Sequence, residues 1–74
     1  MTAAQQRELR KQSTRIERAI ERIDGKVEKL HQQLAEVAAD FGKVAELDAQ
    51  LRELAAEKSA LEDEYLEVLE QLEG

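Results

Sequence analysis

Two apolar seams that do not share a phase constrain this 74-residue chain more than any other feature. From Leu9 the apolar positions run Leu9, Ile16, Ile20, Ile23, Val27, Leu30, Leu34, Val37 and Phe41, and after a first gap of seven the steps alternate four and three. That is an a/d heptad seam, with Ile20, Val27, Leu34 and Phe41 at a, and Leu9, Ile16, Ile23, Leu30 and Val37 at d. Ser13 is its polar interruption at a. A second seam runs Val44, Leu47, Leu51, Leu54, Lys58, Leu61, Tyr65, Val68 and Leu72, with Lys58 its only charged member. Extending the first frame past Phe41 places Asp48 and Glu62 at a and Lys58 at d, so one uniform helix cannot present both seams. The chain must reverse or slip between them.

The segment Asp40-Phe41-Gly42-Lys43 supplies the means of reversal. Asp40 is a helix N-cap type, because its carboxylate can accept from free amides two or three residues on, and Gly42 tolerates dihedrals that other residues avoid. The pattern therefore predicts an all-α fold, an antiparallel two-helix coiled-coil hairpin with its tip near residues 40–43. Helix 1 is expected at about 9–39 and helix 2 at about 43–72, with residues 1–8 frayed or disordered, as unheld chain ends are. The competing arrangement is one continuous helix of a parallel dimer, with the three-residue slip absorbed by overwinding. In the hairpin, facing residues have numbers that sum to about 81: Leu30 meets Leu51, Ile23 meets Lys58, Ile16 meets Tyr65 and Ser13 meets Val68. Lys58 is expected to lay its methylenes on Ile23 while its ammonium reaches outward. Gly25 falls at the outward f position. Arms of about 30 residues would reach roughly 45 Å, and because the seam is satisfied within the chain, an elongated monomer is expected.

Composition excludes most alternatives. Phe41 and Tyr65 are the only aromatics, proline and cysteine are absent, and Ala, Leu, Glu, Lys, Gln and Arg dominate, as in long helices. Without cysteine there is neither a disulfide framework nor a thiolate metal site. No apolar run approaches the roughly 20 residues of a membrane span, and residues 1–20 lack the apolar core of a signal peptide, so a cytoplasmic location is expected. Catalysis needs groups converging where water is excluded, and a two-helix rod offers only exposed faces, so no enzyme activity, metal or cofactor is expected. His31, the single histidine, has no ligand partners at helical spacing. The cluster Glu62, Asp63, Glu64, Glu67, Glu70 and Glu73 lacks the glycine-punctuated loop that wraps calcium and reads as a solvated face.

Charge is divided unequally. The net charge is −6; residues 1–43 carry nine Lys/Arg against seven Asp/Glu (+2), and residues 44–74 carry two against ten (−8). Any contact with an anionic partner should therefore be one-sided. Within the positive half, Arg7, Lys11, Arg15, Arg18, Arg22, Lys26 and Lys29 follow one another by three or four, which keeps them in one stripe, mostly at c and f. Such a ridge suits a phosphate backbone. It is equally the solvated face of an ordinary coiled coil, and no aromatic is interleaved for base stacking.

Several segments are those of a known family. The basic Arg10-Lys11 and Arg15-Ile16-Glu17-Arg18 stretch, KLHQQLA at 29–35, the short tip near Asp40 to Val44 and EKSALEDEYLE at 57–67 resemble the C-terminal coiled-coil domain of ABC-F proteins. The resemblance covers nearly the whole chain; Tyr65 stands where that family often has Trp, and no Walker or signature motif is present. It implies an appendage of a larger cytosolic ATPase with two ATP-binding cassettes, acting on the translating ribosome or related RNA. It also implies nucleic-acid contact, to ribosomal RNA or DNA, through the basic ridge. The rival from a different class is a structural or protein-docking coiled coil.

Overall fold

Helix-favouring composition and two amphipathic stripes produce two helices and nothing else. The computed structural model describes residues 1–74, with α1 at Ala3–Glu36 and α2 at Phe41–Glu73, packed antiparallel along their length. The rod measures 57 × 15 × 13 Å, and its radius of gyration is 16.9 Å, against about 11 Å for a compact domain of this size. It is longer than the seams alone suggest because α1 begins six residues before Leu9 and α2 extends past its seam at both ends.

The N-terminal segment corrects the expectation of a frayed end at residues 1–8. Thr2 caps α1: its Oγ1 accepts from the Gln5 amide at 3.1 Å, while the Thr2 amide donates to Gln5 Oε1 at 2.8 Å. This reciprocal pair satisfies two amides that would otherwise lack partners, so the helix starts six residues before Leu9. At the other end α1 stops at Glu36, three residues short of the expected 39. The reversal occupies 37–40, where the Val37 amide still reaches Gln33 O at 3.1 Å and the Asp40 amide donates to Val37 O at 2.8 Å. Asp40 is the N-cap as expected, its Oδ1 accepting from the Lys43 amide at 3.1 Å. No residue has positive φ, so Gly42 takes ordinary helical geometry inside α2 and contributes no special dihedral to the turn.

Phe41 is a second correction. Placed at a by the heptad count, it is instead 85% exposed, because the helix has already ended and Phe41 opens α2 at the very tip. The remaining seam residues face inward. Ile16, Ile23 and Leu30 are buried at successive d positions, and Val68, only 4% exposed, is buried opposite Ser13. Ser13 is half-buried and donates its hydroxyl to Arg10 O at 3.0 Å, so the polar interruption is satisfied within its own helix. Two interhelical hydrogen bonds fix the register. Lys58 Nζ donates to Asp24 Oδ1 at 2.6 Å, and Tyr65 Oη donates to Glu17 Oε1 at 2.6 Å. Both pairs lie within one residue of the facing rule, and both sit on the e flank of α1.

Candidate nucleic-acid interface

The candidate site is built on α1 alone, because a helix repeats nearly every seven residues and keeps such side chains on one column. Arg15, Arg22 and Lys29 form one column at c; Lys11 and Arg18 form a second at f. Arg7, Lys11, Arg15, Arg18, Arg22, Lys26 and Lys29 are all exposed. They do not form one uniform ridge. Lys11, Arg15, Arg18 and Arg22 line an open concavity of about 500 Å³ together with Arg10 and Thr14. Lys26 and Lys29 instead line a groove between the helices, across from Glu53 and Glu57. Arg7 borders neither.

Arg10 is the residue that the three-and-four stepping passed over. It lies at e, toward the seam, yet its long side chain reaches the concavity. Its immediate neighbour Lys11 was the available signal. The Thr14 hydroxyl donates to Arg10 O at 3.1 Å and can still accept a further hydrogen bond.

Electrostatics separates the two helices. The single salt bridge of the chain is Lys58 to Asp24, so no side chain of the basic concavity lies within 4 Å of a carboxylate. Its guanidinium groups keep their donors for an external acceptor, and a fork of five donors per arginine matches phosphate oxygens in pairs. The two groups with shifted ionisation lie elsewhere. The hydrogen bond to Asp24 raises the Lys58 pKa above its ordinary value, and the hydrogen bond to Glu17 raises that of Tyr65. Neither belongs to the basic face.

No three side chains among His, Cys, Asp and Glu are placed to hold a metal ion, and no helix is long and apolar enough to cross a membrane. Comparison with protein-family models, with characterised proteins and with solved structures yields no match.

Proposed function

We propose that the chain is a non-catalytic C-terminal coiled-coil appendage of an ABC-F-like cytosolic ATPase. In this reading it contacts nucleic acid, ribosomal RNA or DNA, through the basic face of α1. The observation that carries it is the concavity of Arg10, Lys11, Arg15, Arg18 and Arg22, in which no cation is paired with a carboxylate. The segment resemblance to the ABC-F C-terminal domain supports the parent protein, whose ATP-binding cassettes would be the intramolecular partners.

The face recognises charge and spacing. From Arg10 to Arg22 the basic concavity spans about 18 Å at 1.5 Å per residue, so it follows a backbone over several phosphates. It carries no aromatic to stack on a base, so it favours structured or duplex nucleic acid with little sequence preference. The acidic α2 has to point away.

Binding of the isolated chain to structured RNA and duplex DNA tests this. With about four to six phosphates neutralised, counterion release gives a log–log salt slope of roughly −4 to −5, and affinity is micromolar or weaker. Arg15→Glu, Arg18→Glu and Arg22→Glu together abolish binding while helicity is retained, since all three side chains are exposed and off the seam. Lys26→Glu with Lys29→Glu costs less, because Glu53 and Glu57 already oppose those lysines. Absence of wild-type binding at low salt to either nucleic acid would sink the reading and leave protein docking as the role.

A further inference from the structure

The two flanks of the seam differ. On the e flank, Lys58 and Tyr65 bridge to Asp24 and Glu17 and close the surface. On the opposite flank no polar bridge forms, and an open groove of about 390 Å³ runs between the helices. Leu30 and Leu54 form its floor. Lys26 and Lys29 stand on the α1 wall and Glu53 and Glu57 on the α2 wall, unpaired in either direction. A second depression, floored by Val37 and Leu47, continues the groove toward the tip. Heptad spacing extends both walls the other way: Arg22 and Arg15 repeat the Lys29 position, Glu64 repeats that of Glu57, and Glu67 repeats that of Glu53. The rod exposes 5726 Å², against about 4,600 Å² for a compact protein of its mass, and Leu34, Leu47, Leu51 and Leu54 remain half-buried.

We propose that this flank docks a second copy of the chain, flank to flank, to form a parallel pair of hairpins and hence a four-helix bundle. Charge and symmetry select the arrangement. A two-fold axis perpendicular to the rods would set α1 on α1 and α2 on α2, placing basic wall on basic wall and acidic on acidic. An axis parallel to the rods sets each α1 against the other copy's α2, antiparallel and at the same level. The facing sum of about 81 then puts Lys29 beside Glu53 of the second copy, Arg22 beside its Glu57, and Arg15 between its Glu64 and Glu67. Each contact occurs twice. The apolar floors meet at the centre, with the charge columns forming the rim, which is the usual layout of a protein interface. A monomer is what the seam alone calls for; the flank groove adds walls of Lys26, Lys29, Gln33, Gln50, Glu53 and Glu57 above the edges of seam residues Leu30 and Leu54, and the seam does not count those walls. The pairing engages Arg15 and Arg22, which the nucleic-acid reading also uses, so the two contacts compete for those side chains; protein mass without nucleic acid reports on the pairing alone.

Sedimentation equilibrium on the full chain decides it. At low salt and high protein concentration the mass rises from 8.4 kDa to twice that value. The dissociation constant increases at least roughly tenfold toward about 1 M salt, where the Debye length is near 3 Å. Two variants then test the geometry, one carrying Arg15→Glu, Arg22→Glu and Lys29→Glu, the other Glu53→Lys, Glu57→Lys and Glu64→Lys. Each alone is monomeric, since like charges now face each other across both halves of the interface. An equimolar mixture regains the dimer mass, because both halves again pair opposite signs. Circular dichroism of each variant shows that the hairpin itself is intact. A wild-type mass of 8.4 kDa up to about millimolar concentration at low salt would overturn the proposal. So would variants that pair as well as wild type, or a mixture of two helical variants that stays monomeric.

Discussion

The two helices are almost equal in length, 34 and 33 residues, yet they are specified differently. α1 supplies three of the four buried residues, all isoleucine or leucine at seven-residue intervals, with half-buried Ile20, Val27 and Leu34 beside them. α2 supplies only Val68, leaves Leu66 57% exposed, and places Lys58 and Tyr65 in its seam, where both turn sideways to reach acids on α1. Charge follows the same division: α1 has eight Lys/Arg against six Asp/Glu (+2), and α2 has three against ten (−7). Thus α1 carries both the apolar column and the cations, and α2 is arranged around it. A hairpin needs only one strongly amphipathic helix if its partner offers enough half-buried leucines to cover the column.

The sharpest way to break this comparison is within a single layer. Leu30→Ala removes a buried side chain and should cost about 2–4 kcal/mol in chemical denaturation, whereas half-buried Leu51→Ala, facing it from α2, should cost about half as much. Equal losses would mean that the two helices share the core evenly. Next in size is the start of α2, which rests on one carboxylate: Asp40→Ala should lower stability by about 1 kcal/mol, while Asp40→Asn should lose far less. A helix-capping defect of that kind would show as a lower melting temperature with an unchanged far-ultraviolet spectrum at 25 °C. In the opposite direction, Gly25→Ala should stabilise α1 by about 0.5–1 kcal/mol, because nothing lies within 4 Å of an added Cβ and the residue is mid-helix and exposed. A loss of stability there would place Gly25 against something the monomeric hairpin does not contain.

The smallest expected effect is alkaline. Lys58 and Tyr65 both have folded pKa values raised above their ordinary values of 10.5 and 10.0, through hydrogen bonds to Asp24 and Glu17. Protonated forms are therefore favoured in the folded state. Their contribution is complete below a pH of about 10 and is lost as pH rises through the raised folded values. Thermal melts between about pH 9 and 12 should show a falling midpoint. Tyr65→Phe should remove part of that slope, and Lys58→Leu should remove another part while leaving an apolar layer opposite Ile23. A slope unchanged in both variants would mean that the two bridges do not hold the helices together.

Much of this fold is legible in the sequence because heptad spacing is a local property. The phase break between Phe41 and Val44 required a reversal or a slip, the sum rule placed Lys58 and Tyr65 beside α1 to within one residue, and Asp40 was recognisable as a cap. Thr2 and Gln5 have the spacing of a capping box, which an expectation resting only on the general tendency of chain ends to fray did not take into account. The fate of Phe41 was not legible, since a heptad count continues through a helix end without registering it.

For the candidate site, sequence spacing alone set Arg15, Arg18, Arg22 and their neighbours on one side of α1, because the position of a side chain around a helix depends only on its number. What tertiary structure decided was which of those cations look outward and which look across at acids. Lys26 and Lys29 share a stripe with Arg22, yet antiparallel packing brings Glu53 and Glu57 to the other side of their groove, and Arg10 joins the outward set despite its heptad letter. Those juxtapositions join residues far apart in the chain, and they exist only once the register of two helices is fixed by packing. One helix's periodicity cannot contain the other's charges.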